Sequence, residues 1–278
     1  MIVPAYRAGA TLPACVESLL QQRFDRPFEV IVVASGDGAA PALPDDPRLS
    51  VSTRSARLTA AAARNLGAAR ARGRRLVFTD ADVTAPPDWL ELLCAAASNG
   101  CLVAGSVRNG TPESSFGTVE YLVAFADLHP ARTEAAWHGG TGNLLVPRET
   151  WERLGPFPEH LGGCEDTLLT ERARRDGLLI YEREAAVVHH NRRRLGEVLT
   201  HQYALGAAHA RLDRLRGEPH RARGHVALGR AVARLLYLDR QLGRWAPAER
   251  RRARRLLPLL ILGFGAWGLG LWREGRRG

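Results

Sequence analysis

Residues 74–89 read RRLVFTDADVTAPPDW. An apolar run, Leu76-Val77-Phe78, closes on Thr79 and then on two carboxylates one residue apart, Asp80 and Asp82, ahead of a Pro-Pro turn and Trp89. A short apolar run bounded by turn residues predicts a buried strand. Two acids at its end repel each other unless a cation sits between them or both stand in water. At i and i+2 they can share one hard divalent cation, Mg2+ or Mn2+. The same pair is also ordinary turn chemistry, so the surroundings have to decide.

Outward from this strand, short β-rich runs alternate with helical patterns. Ile2-Val3-Pro4 ends a first strand, residues 11–22 carry a helical face, and FEVIVV (28–33) is a strand closed by Ser35-Gly36-Asp37-Gly38. Residues 49–51 form a third short strand, 59–72 an Ala-rich helix and 88–99 another helix. Such alternation predicts an α/β fold with a mainly parallel central sheet covered on both faces. Ligands of these sheets bind beyond the carboxyl ends of the strands, where Pro4-Ala5-Tyr6, Ser35-Gly36-Asp37 and Asp80-Ala81-Asp82 all fall. Further on, Gly139-Gly140-Thr141-Gly142-Asn143 is a polar loop before Leu144-Leu145-Val146. Gly162-Gly163-Cys164 leads into Glu165-Asp166 and a helix over 166–176, followed by strands at 178–181 and 185–188.

Of 278 residues 45% are hydrophobic, enough to fill a sizeable core. Four cysteines without C-x-x-C spacing argue against a zinc site or a disulfide framework and fit a reducing compartment. No basic and apolar prelude precedes Ile2, so a cleaved export signal is not expected, and the short first strand implies a trimmed or misassigned start. The charge is uneven: residues 192–278 hold 20 Arg against 6 acids, residues 1–191 hold 19 against 23, and there is no lysine. A basic tail suits an anionic lipid surface or nucleic acid. It lacks the interleaved aromatics of a single-strand binder, and residues 256–272 (LLPLLILGFGAWGLGLW) are uncharged. The expected partner is therefore a membrane surface and no nucleic acid. A 17-residue helix extends about 25 Å, just short of a hydrocarbon core, which leaves spanning and interfacial placements both open.

Four stretches in order, IVPAYRAGATLPACVESLLQQ, FEVIVVASGDG, AARNLGAARARGRRLVFTDADV and GGTGNLLVPRETWERLGPFPEHLGGCEDTLLTERARRDG, resemble the successive motifs of family-2 glycosyltransferases with the GT-A fold. The resemblance spans residues 1–205 and implies a catalytic domain there, with a basic helical region over 206–255 and the candidate transmembrane or interfacial helix over 256–272. It implies that Pro4, Ala5 and Tyr6 cradle the nucleotide base and ribose, that Arg64 and Asn65 lie on the donor side, and that Asp80-Ala81-Asp82 is the D-x-D motif. Within that motif Asp80 faces the ribose and Asp82 holds a divalent metal, Mg2+ or Mn2+. Gly140, Thr141, Gly142 and Asn143 then lie near sugar and acceptor, Glu165 beside them, with Asp166 as catalytic base. His189 or His190 completes the metal site, His189 being taken first.

Where the family has an acid after the second strand, this chain has Ala34-Ser35, so either Ser35 or the displaced Asp37 substitutes or base recognition is looser. The Q-x-x-R-W signature of processive enzymes is absent after Glu165-Asp166, which implies transfer of one sugar rather than polymer synthesis. The resemblance thus implies an inverting, metal-dependent transferase. It moves a sugar from a nucleotide-diphosphate donor, UDP-linked as first choice, to a lipid-linked or cell-surface glycan acceptor at the cytoplasmic face of the plasma membrane. A catalytically degenerate nucleotide-sugar binder is the alternative that the Ala34-Ser35 departure raises.

Overall fold

A computed structural model describes residues 1–36, 41–134, 137–218 and 224–277. They divide into two compact units. The first comprises Met1–Arg108, Glu134–His160 and Glu165–His190, and the second Asn109–Thr133, Leu161–Cys164 and Asn191–Gly278.

The first unit is the α/β part. Its strands are β1 (Ile2–Tyr6), β2 (Val30–Ser35), β3 (Leu49–Arg54), β4 (Arg75–Thr79), β5 (Val83–Thr84), β6 (Leu102–Asn109), β7 (Asn143–Pro147) and β8 (Leu179–His189). Its helices are α1 (Leu12–Leu20), α2 (Ala60–Arg70), α3 (Trp89–Ala96), α5 (Arg148–Leu154) and α6 (Glu165–Arg175); α4 (Ser115–Phe125) belongs to the second unit. The described strands form one sheet in the order β3-β2-β1-β4-β7-β6-β8-β5. The expected parallel arrangement holds from β3 to β4, and β7 then runs antiparallel to both β4 and β6. A core of Ile2, Leu76, Phe78, Leu102, Leu144 and Val146 joins Trp151, Phe157 and Leu169 from the helical side. Helix α2 lies close on β1, since a Cβ at Gly67 would sit 2.5 Å from Ile2 Cγ2.

One expectation is corrected here. The expected strands at 178–181 and 185–188 are not separate: residues 179–181 and 185–188 are parts of one strand, β8. Glu182-Arg183-Glu184 read as a break, yet a charged triplet is tolerated where a strand has no neighbour on one side. Strand β5 pairs with β8 only at His189 and Val188, and Ser106 still donates to the Arg183 carbonyl at 2.7 Å on the other side.

The second unit is helical: α4, α7 (Leu195–Leu215), α8 (Gly224–Trp245), α9 (Pro247–Arg255) and α10 (Leu257–Gly275). Helices α7 and α10 touch backbone to backbone. A Cβ on Gly206 would lie 1.9 Å from the Trp267 carbonyl oxygen, and one on Gly270 would lie 2.0 Å from that of Tyr203. Among the described residues no single helix is long and apolar enough to cross a membrane; α9 and α10 would reach that length only together, and they meet at 82°.

His209 of α7 lies half-buried in this packing, its Nδ1 2.9 Å from the Leu205 carbonyl and 3.1 Å from Cys164 Sγ. Burial first, and then the positive charge of Arg234, push its pKa from 6.5 down to about 4. The unfolded chain therefore takes up a proton near pH 6.5 that the folded chain refuses until about pH 4. Stability is complete above that window and declines as pH falls through it, by about 3 kcal/mol in all. Urea unfolding followed from pH 7 to pH 4 is expected to show this decline, and His209→Gln is expected to flatten it.

Candidate active site

The register of the sheet assembles the site. Thr79, the last residue of β4, pairs with Asn143, the first of β7, and its hydroxyl donates to the Gly142 carbonyl at 2.9 Å. This sets Asp80-Ala81-Asp82 beside the Gly139–Asn143 loop. Immediately afterwards Val83 of β5 pairs with His189 of β8, and the His190 N–H donates to the Asp82 carbonyl at 2.8 Å. Successive side chains of an extended chain point to opposite faces, so the two histidines diverge. His189 Nε2 lies 3.3 Å from Asp82 Oδ1, whereas His190 Nε2 lies 3.2 Å from Thr84 Oγ1.

Asp80, Asp82 and His189 each offer a ligand atom, all within 4.8 Å of one another. Two carboxylate oxygens and an imidazole nitrogen fit Mn2+ or Mg2+ and would leave other positions for phosphate oxygens. Gly142 keeps this corner open, because a Cβ there would come 3.0 Å from Asp80 Oδ2. Cys15 donates to the Asp80 carbonyl. Burial, with the charges of Asp82 and Asp80, pushes its thiol up to about 12.

Arg64 is the buried hinge of the electrostatics. Its Nη2 lies 2.5 Å from Asp80 Oδ1 and its Nη1 2.7 Å from Glu165 Oε1. Burial disfavours its charge, but the carboxylates of Asp80, Glu165 and Asp166 more than reverse this and raise its pKa above the ordinary value. Burial likewise raises Glu165, against the attraction of Arg64 and together with repulsion from Asp166.

Asp166 stands in the first turn of α6, half-buried. Its Oδ2 accepts from the Thr141 backbone N–H at 3.0 Å and from the Thr141 hydroxyl at 3.2 Å, and its Oδ1 accepts from Thr167 N–H at 2.7 Å. Thr170, one turn on, takes the Gly139 N–H at 3.1 Å. The glycine loop is thus tied to the very turn that presents Asp166. A carboxylate at a helix start, with its orientation set by a backbone donor, has the geometry of a general base.

Other expected residues fall differently. Tyr6 is exposed at the end of β1, with the Arg57 guanidinium 4.5 Å over its ring and Gly36 (φ +93°) so close that a Cβ would lie 2.8 Å from Cε2. Pro4 is half-buried and Ala5, Ala81 and Ser35 are buried; Asp37 lies outside the described residues. Asn65 is engaged elsewhere, with Nδ2 donating to the Phe157 carbonyl and Glu159, and Oδ1 accepting from Phe157 N–H. The Asn143 side chain is fully buried: Trp89 Nε1 donates to it, and it donates to the carbonyls of Ser106 and Ala185. Those three bonds tie α3, β6 and β8 together and leave its amide turned into the sheet. Gly140 is half-buried and belongs to the loop that Thr141 anchors. Arg57, Thr84 and Cys15 were not singled out from the sequence. Arg57 and Cys15 meet the site from distant segments, and neither type nor spacing signals that, whereas Thr84 stands two residues after Asp82 and meets His190.

Comparison with known proteins bears on the family and the fold. The model of glycosyl transferase family 2 matches residues 1–144. Glycosyltransferase AglE of Haloferax volcanii is 26% identical over 216 residues, 74% of this chain and 71% of that protein. Among solved structures, mannosyltransferase PcManGT from Pyrobaculum calidifontis, in complex with GDP-Man and Mn2+, superposes with a TM-score of 0.60 at 21% identity over 98% of this chain and 86% of that one. TarS of S. aureus does so with a TM-score of 0.51 at 16% identity, over 97% of this chain and 54% of that one.

Proposed function

The chain belongs to glycosyl transferase family 2, a glycosyltransferase of the GT-A fold using a nucleotide-sugar donor, and from that premise we propose how it works. One sugar passes, with inversion, from the nucleotide diphosphate to a hydroxyl of a lipid-linked or cell-surface glycan acceptor, at the cytoplasmic face of the plasma membrane. The donor is UDP-linked by resemblance of motifs. Asp82 and His189 hold the divalent cation, with Asp80 beside them. When bound, that cation offsets charge on the departing diphosphate. Tyr6 offers an exposed ring for the base, and Asp166 takes the acceptor proton.

The observation that carries this reading is the pairing of two separate clusters in one unit. Asp80, Asp82 and His189 converge as candidate cation ligands, while Asp166 is oriented separately, by hydrogen bonds from Thr141 and Thr167. A binder without chemistry has no use for the second cluster.

The test is a panel of nucleotide-sugars with Mn2+, scored for nucleotide release and transfer. His189→Ala is expected to weaken Mn2+ at least about tenfold, the scale at which even outer-shell changes act, with calorimetric titration as the readout; His190→Ala is expected to leave it within about twofold. Tight donor binding without turnover on any donor would instead establish the degenerate binder.

A further inference from the structure

Two helices of the second unit, α8 and α10, run antiparallel. Gly224 of α8 meets Trp272 of α10, Ala227 and Ala231 meet Gly268, and the Arg234 guanidinium lies over Trp267 (4.6 Å) and Phe264 (5.8 Å). On each helix the residue after a seam contact is a large exposed apolar one: Leu228 and Val232 follow Ala227 and Ala231, and Leu269 follows Gly268. One residue is about 100° of helical turn. In an antiparallel pair, that turn carries both helices' next residues to the same side of the seam. Leu228 (63% exposed), Val232 and Leu236 (65%) on α8 therefore share one side with Ile261 (52%), Leu262 and Leu269 (51%) on α10. From Leu257 to Leu269 the stripe on α10 alone is roughly 18 Å long.

Arginines bound this face. Exposed Arg254 and Arg255 end α9 just before α10 begins, and exposed Arg273 and Arg276 continue the α10 side beyond Leu269. Residues 192–278 carry 20 Arg against 6 acids. Apolar centre, cationic ends and buried opposite side are the pattern of a surface that lies in the headgroup region of an anionic bilayer.

The opposite side of α10 excludes a span. Its Trp267 and Gly270 are in backbone contact with α7, and the Arg234 guanidinium sits beside its middle. A guanidinium at hydrocarbon depth is costly, and α10 cannot leave these contacts without opening the unit.

We propose that the α8–α10 face docks in the plane of an anionic phospholipid surface, so that the protein is held on the membrane without crossing it. This rests on the reading above that the enzyme works at a membrane, and it names the residues and the mode.

The test uses the full chain and sedimenting vesicles of phosphatidylcholine with or without phosphatidylglycerol. The wild type is expected to bind the anionic vesicles at least about tenfold more tightly, and to be released by alkaline carbonate. The double substitution Ile261→Gln and Leu269→Gln is expected to weaken binding at least about tenfold at unchanged melting temperature, since both side chains are exposed. If that variant melts lower, Leu228→Gln with Leu236→Gln reads the same face from α8. Binding unaltered by either pair, equal binding to both vesicles, or resistance to carbonate would each overturn the inference. So would a wild-type dimer that these substitutions dissociate while vesicles bind nothing, which would make a second copy the occupant. Metal-dependent nucleotide release is measured on the same samples. Its absence in the wild type would count against the catalytic reading alone, because vesicle binding is scored independently.

Discussion

Asp166→Asn is expected to lower sugar transfer by about 100- to 10,000-fold, the range attributed to a positioned general base. Asparagine has nearly the same shape, and its carbonyl oxygen can still accept from the Thr141 N–H, which holds Oδ2 at 3.0 Å in the wild type. The loop therefore keeps its tie to α6, and the variant should fold. What it lacks is a group that can take the acceptor proton. Donor affinity, which the proposed function assigns to Tyr6 and the Asp80–Asp82–His189 corner, is expected to change by less than about threefold, so the loss should fall on kcat. Retention of full transfer activity would remove Asp166 from the role of base. Thr141→Val supplies the graded companion: it deletes the hydroxyl contact at 3.2 Å but keeps the backbone one, and its effect should be well below that of Asp166→Asn.

The alternation of strand and helix was legible because periods of 2 and 3.6 residues differ over even short runs. Elements from β1 to α3 start and stop within a few residues of where turn residues and caps put them, apart from the two-residue β5, which the sequence reading did not contain. Strand β8 was split because its charged centre mimics a turn, and only its place in the sheet shows that Glu182-Arg183-Glu184 has an open side. At the site, the types of residue were readable but not their partners. His189 and His190 are equivalent as letters; the Val83–His189 register decides which faces Asp82. Asn65, Asn143 and Arg64 read as ligand-facing polar groups, yet each is occupied by protein. Arg64 and Glu165 are 101 residues apart in the chain, and nothing in local spacing encodes a bond between them. The helical face of α8 and α10 was half legible, as an uncharged run after arginines. That it is one side of an antiparallel pair needed the contacts of Gly268 with Ala227 and Ala231.

Replacing Arg64 is expected to be the most damaging single change to stability in the first unit. Its side chain is 6% exposed, and that of Glu165 is 5% exposed. Arg64→Met keeps much of the volume but leaves the Glu165 carboxylate buried without a cation, and breaking a buried pair in this way costs roughly 3–5 kcal/mol. Asp80, the outer partner, is less affected because water reaches it. Burial already raises Glu165; without Arg64 it rises further, and in acid the protonated carboxyl needs no cation. The deficit against wild type, read from urea midpoints, is therefore expected to narrow as pH falls, and a deficit that grows in acid would contradict the pairing. Arg64→Lys separates charge from geometry. An ammonium restores one positive charge but cannot span two carboxylates as the guanidinium fork does. It should recover part of the stability while leaving Asp80 or Glu165 loose. Since Asp80 belongs to the cation corner and Glu165 precedes Asp166, the lysine variant should show weaker Mn2+ binding or a lower kcat even where its melting curve is close to wild type. Equal loss in the Met and Lys variants would mean that one charge without the fork restores nothing, and full recovery by lysine would mean that charge without the fork suffices.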